Sequence, residues 1–348
     1  MFLAEILKNR FQSVAIIGMA KNTGKTYTFN QLVMEGRKLG LQLALTSIGL
    51  DGEERDSLYL HKKPRIMVYP GMITANAKAL LVSSGLDYEV LGATGVGTPL
   101  GEVVLSRILS AGRTILAGPG SVQGLAAVKR RLEAMDVDLL LVDGAVDRRS
   151  FSASVVTDTA VLAVGAEVAW DRTLLLEKLR HYLAVLTLPG LTDPAVAQLC
   201  KEAPEDAKLM VLTADGCAYS VRSEEFFQQG GFLDRPEFKN AKLVYVKGML
   251  TDAVLTKIWG SAARPASFTL AASDPTSVFL GPRSLAKLAA QGVALRVVDS
   301  LHLSAVTVNP FNSRYGYAEP VQLLQDVGRA VYPLPCFDLR LGLRYQPE

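Results

Sequence analysis

The chain has 348 residues, more than a single core commonly serves, since domains run to about 100–200 residues. Hydrophobic residues make up 49% of it and charged residues 20%, which excludes a disordered chain and predicts a well-packed α/β protein. The 37 basic and 34 acidic side chains nearly cancel at +3, which argues against a nucleic-acid partner, because such partners call for a clustered basic stripe.

No apolar run approaches the roughly 20 residues of a membrane span. Residues 1–10 lack the basic flank and long apolar segment of a signal peptide and read as a short helix leading into the first strand. Three cysteines, Cys200, Cys217 and Cys336, are widely spaced, with no C-x-x-C pair to build a metal knuckle or a disulfide framework. These features predict a cytoplasmic protein in a reducing compartment, with no membrane and no nucleic-acid partner.

The first informative stretch is Val14-Ala15-Ile16-Ile17-Gly18-Met19-Ala20-Lys21-Asn22-Thr23-Gly24-Lys25-Thr26. Four apolar residues predict a buried strand, a tight loop carries Gly18 and Gly24, and Lys25-Thr26 open a helical pattern. This is the layout of a phosphate-binding P-loop. Backbone N–H groups line the loop, the helix N-terminus adds positive field, Lys25 reaches the outer phosphates and Thr26 ligates Mg²⁺. The usual spacing places a glycine five residues before the second one. Here that position is Met19, so the first glycine is displaced to Gly18 and the first turn is expected to differ in shape.

Residues 26–40 have helical spacing, with Phe29, Leu32 and Val33 on one face and Gly40 as the stop. Residues 41–48 predict a second buried strand, ending in Asp51, Glu53, Glu54 and Asp56. At the carboxyl edge of a parallel sheet, Asp51 or Glu53 would orient a water or the attacking nucleophile; the other reading is an acidic surface turn. Further strands are expected at 64–69, 88–94 and 113–117, and an alanine-rich helix at 72–83. Residues 100–109 read as a helix or a strand–helix mixture. The turn Gly118-Pro119-Gly120-Ser121 reads as a strand-to-helix connection or as an approach to a ligand.

Residues 137–144, Val-Asp-Leu-Leu-Leu-Val-Asp-Gly, fit an aliphatic strand whose terminal Asp143 holds Mg²⁺ opposite Thr26, with Gly144 passing close to the outermost phosphate. Asp147, Arg148 and Arg149 follow, as a surface pair or as a source of transition-state charge. A strand at 159–164 and an amphipathic helix at 171–186 complete a nucleotide-binding domain over residues 1–190. The stretch 186–206 reads as the boundary. Residues 206–348 read as a C-terminal α/β domain for a partner or substrate, with strands near 208–213, 242–246, 267–271 and 294–298 alternating with helices and predicting a second parallel sheet. Residues 301–317 predict a strand running into an Asn/Pro/Tyr-rich loop of a kind that meets ligands, or that is simply structural. The fold expected overall is α/β, P-loop NTPase-type, with a mostly parallel sheet, helices on both faces and a second α/β region.

The string Lys21-Asn22-Thr23-Gly24-Lys25-Thr26 resembles the loop of the molybdopterin-guanine dinucleotide adapter proteins, a class related to metal-insertion GTPases and dethiobiotin synthetase. Asp51 matches the acidic residue those proteins carry after their second strand, and Asp143-Gly144 their third motif. A longer resemblance takes in residues 17–26, 45–53 and 63–66, and is to the B subunit of the lysine 5,6-aminomutase reactivase. That resemblance implies an ATP-dependent accessory protein working with a second ATPase subunit similar to mismatch-repair MutS. Together they would restore an adenosylcobalamin-dependent aminomutase.

The site expected from all this comprises Gly18, Lys21, Asn22, Thr23, Gly24, Lys25 and Thr26 on the nucleotide, Lys25, Asp51 and Asp143 in catalysis, and Thr26 with Asp143 on the metal. The cofactors are ATP and Mg²⁺; absence of the usual guanine-specific signature favours ATP and leaves GTP open. Two other functions fit the sequence, a small-molecule kinase or ligase and a nucleotide-regulated scaffold, and pairing of two copies across the nucleotide is a further expectation.

Overall fold

The computed structural model describes residues 3–48, 65–144, 156–238, 240–259 and 268–347. Asp51, Glu53 and the run Asp147-Arg148-Arg149 lie outside the described residues. The chain divides into two compact units, one made of Met1–Arg180 with His302–Glu348 and the other of His181–Leu301.

The first unit opens with α1 (Leu3–Lys8) and β1 (Ser13–Gly18). All six β1 residues are buried, the continuous apolar run of a strand covered on both faces. α2 (Lys25–Lys38) buries Phe29, Leu32 and Val33, the stripe expected from its spacing. Its Glu35 carboxylate, 4% exposed, accepts from the Ala4 amide at 3.0 Å and so ties α1 to α2. β2 (Leu43–Ser47) follows, also buried throughout.

β3 (Ile73–Ala77) and α3 (Lys78–Ser83) replace the single helix expected over 72–83. β3 is buried at every position, and its Asn76 amide is used at both ends, by Ile115 O and by the amides of Ala77 and Ala117. Alanines that read as helix formers serve here as small side chains in a strand with neighbours on both sides, so tertiary pairing overrides local propensity. β4 (Tyr88–Thr98) and β5 (Gly101–Ile108) form an antiparallel pair, which settles the ambiguous segment 100–109 as strand. The strand expected at 113–117 is reduced to Gly112–Thr114, paired with Ile66–Val68. α4 (Val122–Glu133), β6 (Leu139–Asp143), β7 (Thr159–Gly165) and α5 (Arg172–Leu186) come next.

The second unit contains α6 (Pro194–Lys201), β8 (Ala207–Thr213), β9 (Ala218–Arg222), α7 (Ser223–Gln228), β10 (Ala241–Val246), α8 (Asp252–Ile258), β11 (Thr269–Ala272), α9 (Pro282–Ala290) and β12 (Ala294–Val297). Its sheet runs β9-β8-β10-β11-β12. β10, β11 and β12 are parallel, as the alternation predicts, but β8 is antiparallel to both its neighbours. Asp215-Gly216 accounts for the first of these pairings. Gly216 takes φ +86 and turns the chain into a hairpin with β9, where the sequence reading saw only the end of a strand. The core of this unit gathers Phe226, Phe232, Val244, Val246, Ile258 and Leu270.

At His302 the chain returns to the first unit through β13 (Leu303–Asn309), α10 (Pro320–Val331), β14 (Cys336–Asp338) and β15 (Leu343–Arg344). The expected single C-terminal domain over 206–348 is therefore corrected: residues 302–348 belong with the first sheet. Periodicity predicts a strand here, but it cannot say which sheet takes it. β13 pairs in parallel with β7, up to Asn309 opposite Gly165.

The resulting ten-stranded sheet of described residues has the order β15-β14-β13-β7-β1-β6-β2-β3-β5-β4. It is parallel from β14 to β3 and antiparallel at its margins. Val14, Ile16, Leu43, Leu141 and Val161 pack with Phe29 and Leu32 of α2 on one face. Their strand neighbours Ala15, Ile17, Leu140, Val142 and Leu162 are buried as well, so both faces are covered. Among the described residues no helix is long and apolar enough to cross a membrane.

Asp158 pins the start of the central strand. Its carboxylate accepts from the amides of Gln12 (2.8 Å) and Ser13 (2.9 Å) and pairs with Lys129 of α4 at 2.6 Å. Burial pushes its pKa up, but the Lys129 hydrogen bond and charge and the two amides outweigh it and hold the carboxyl below its usual range. A lowered folded pKa gives stability that is complete above the unfolded value and is lost as pH falls through the folded one. Asp158→Asn is therefore expected to lower the urea midpoint at pH 7, with the gap to wild type closing below about pH 4. A gap that stays constant into that acid range would contradict this assignment.

Candidate functional site

β1 lies between β6 and β7, with Ile16 opposite Asp143 and Gly18 opposite Ala163. The loop that leaves it is held by one bond to the neighbouring strand and one within the loop. Met19 N donates to Ala163 O at 3.2 Å, and the buried Thr23 hydroxyl donates to Ala20 O at 3.0 Å. Asn22 adopts φ +61 and Gly24 φ +98, so the chain turns through the left-handed region twice before α2 begins. A Cβ on Gly18 would lie 2.6 Å from Thr23 Oγ1 and 2.8 Å from Lys25 Cγ. The displaced glycine of the sequence thus has a steric reason: the loop and the Lys25 stem fold back over residue 18.

The start of α2 is electrostatically unusual. Its N-cap is Gly24 with no side-chain cap, and its first turn holds no acidic residue. The first helical residue is Lys25, 8% exposed. A glycine in place of a capping side chain costs a helix a few tenths of a kcal/mol. A cation at this end opposes the helix dipole by roughly 0.3–1 kcal/mol more. Burial lowers the Lys25 pKa, and the Asp143 charge partly restores it. A desolvated ammonium and an uncapped helix end turned to one sheet edge favour a multiply charged anion. Thr26 is half-buried in the same turn, while Lys21 and Asn22 are exposed on the loop.

Asp143 ends β6 beside the loop, and its carbonyl accepts from Ile48 N at 3.1 Å. Gly144 is required by the neighbouring strand. Its amide donates to Ile16 O at 3.0 Å, and a Cβ would sit 2.8 Å from that oxygen. Gly118 packs against the Ser47 carbonyl, and Ser121 caps α4 through Gly124 N, so this glycine turn serves as the strand-to-helix connection. The structure therefore brings Gly18, Thr23, Gly24, Lys25, Thr26 and Asp143 to one edge of the sheet.

Sequence reading missed Asn309 and Glu167. Asn309 ends β13; its Nδ2 donates to Asn22 O at 3.0 Å and its Oδ1 accepts from Phe311 N at 3.2 Å. Its Cβ lies 3.0 Å from where a Cβ on Gly24 would stand. Glu167 follows β7 and accepts from Ser313 Oγ at 2.6 Å and Ser313 N at 2.7 Å. These two bonds, with one from the Asn22 side chain, hold its pKa below the usual range. Beside Gly24, between the first turn of α2 and the end of β13, lies a cavity of about 270 Å³. The asparagine- and tyrosine-rich segment 301–317 was the available signal for this flank.

The left-handed turn gives a direct test. Asn tolerates φ +61, whereas a β-branched residue pays about 1–2 kcal/mol there. Asn22→Val is expected to lower stability by about that much, and Asn22→Gly by clearly less, as read by calorimetry. Equal losses would show that residue 22 is not held in this conformation. No protein-family model, no curated protein and no solved structure matches this chain.

Proposed function

We propose that this chain is a P-loop nucleoside triphosphatase that binds a nucleoside triphosphate with Mg²⁺ over residues 18–26. In this reading it acts as an accessory protein, using binding and hydrolysis to reactivate or remodel a partner enzyme. The observation that carries it is the buried Lys25 at the head of the uncapped α2, beside Asp143. The donor set suits the ligand. Gly18 leaves room for the Lys25 stem and the Thr23 hydroxyl, and Gly24 for Asn309. Thr26 and Asp143 supply one hydroxyl and one carboxylate, hard oxygen donors of the kind Mg²⁺ takes alongside phosphate oxygens.

Catalysis in such a site rests on position and charge. Lys25 neutralises the outer phosphates. Thr26 and Asp143 would hold the metal, which would supply positive charge against that developing on the phosphate. Asp51 is assigned from the sequence to orient the attacking water. The partner is proposed from the resemblance to the reactivase B subunit: an adenosylcobalamin-dependent aminomutase, approached together with a second ATPase subunit. Pairing of two copies and a cytoplasmic location belong to the same reading.

Lys25→Ala is expected to weaken triphosphate binding by about 100-fold or more, since it removes the charge-assisted contact to the outer phosphates. Asp143→Asn should keep most of the binding but lower Mg²⁺-dependent turnover by about 10²–10³. Calorimetry and phosphate release measure the two effects. Wild-type protein that binds neither ATP nor GTP in the presence of Mg²⁺ would overturn the proposal.

A further inference from the structure

The cavity beside Gly24 has an uneven chemistry. Its floor is Thr28 and Thr307, whose hydroxyls bond each other at 2.9 Å. Tyr27, Phe311 and Tyr317 stand exposed around its walls. Its volume of about 270 Å³ falls just below the range of drug-sized ligand sites, roughly 300–1,000 Å³, which suits one heterocycle better than a whole nucleotide. Flat aromatic walls stack any base and give affinity without choice. Choice has to come from the hydrogen-bonding groups at the edge.

The threonine and tyrosine hydroxyls of the lining both donate and accept, so they do not separate one base from another; the groups of fixed sense are the Asn309 amide and the Arg340 guanidinium. The Asn309 amide is held at both ends, by Asn22 O and Phe311 N, which fixes it toward the loop. The remaining reader is Arg340. Its backbone is set by an Asp338 carboxylate oxygen, which accepts from the amides of Arg340 and Leu341 at 3.0 Å each. Its guanidinium lies 4.9 Å from the centre of the Tyr317 ring and donates to the Tyr317 hydroxyl at 2.7 Å. One donor of the fork is thus used to fix its direction, and the others stay available. A guanidinium has no acceptor, so it pairs with a base edge that offers two adjacent acceptors. Guanine does so through O6 and N7. Adenine sets an N6 donor beside N7, which meets the fork donor against donor.

We propose that this cavity takes the purine base and that Arg340 selects guanine over adenine by reading its O6/N7 edge. The inference rests on the triphosphate reading of the loop and reverses the preference for ATP drawn from the missing guanine signature.

The test is competition binding to wild-type protein with GTP, ITP, 7-deaza-GTP and ATP. GTP and ITP, which share O6 and N7, are expected to bind alike, and ATP to bind about 10-fold or more weakly. The 7-deaza analogue, lacking N7, should fall between. Arg340→Ala should erase the difference between GTP and ATP. Arg340→Gln, which matches adenine N6/N7, should favour ATP. ATP binding as tightly as GTP, or a GTP preference unchanged in Arg340→Ala, overturns the base assignment and leaves the loop proposal standing. Failure of every triphosphate to bind overturns both.

Discussion

A helix that begins with a buried lysine, no cap and no acid in its first turn is incomplete by itself, and much of the first unit is arranged around that fact. α2 tolerates this start because the rest of it is secured elsewhere. Phe29, Leu32 and Val33 anchor it to the sheet, and Glu35 ties it to α1. The loop before it is held on three sides, by Ala163, by its own Thr23 hydroxyl and by Asn309. The packing offsets a local electrostatic penalty, and that penalty is the physical basis of the anion site proposed for the loop.

The second constraint is the route of the chain. After β7 it leaves to build the unit His181–Leu301, then returns to lay β13 against β7. The return is what completes the flank of the loop. Asn309 and Asn22 are 287 positions apart, yet one amide joins them. The cavity has the same origin, because its walls come from α2, the end of β13 and the turn after β14. A site assembled this way depends on the first and last parts of the chain folding as one body.

The elements that were legible in the sequence share a property: their burial is dictated locally. β1, β2, β6 and β7 read as continuous apolar runs because both faces of a parallel sheet are covered. α2 read as a helix because only one of its faces is. The misreadings share the opposite property. Residues 72–83 looked like one helix because the alanines of β3 run on into Lys78, Ala79, Leu80 and Leu81 of α3, and only β2 and β5 beside β3 make a strand there. β8 looked parallel because Asp215-Gly216 served as a strand end as readily as a hairpin turn. The glycines divide in the same way. Gly18 was recognised as part of the loop, but Gly144 and Gly118, read as ligand-facing or as open in role, are explained by the backbones of Ile16 and Ser47.

By itself the sequence determined the loop, the lysine and threonine that follow it, the strand ending in Asp143 and the α/β class. Each of these is carried by residues within one strand–turn–helix stretch, where steric and hydrophobic rules act over a few positions. The tertiary structure decided which sheet receives residues 302–348, that Asn309 braces the loop, and that Arg340 stands at the rim of a cavity beside it. Those outcomes depend on strand pairing across hundreds of residues. Hydrophobic periodicity records that a strand will be buried, and the partner is chosen only when the open edge of β7 is there to receive it.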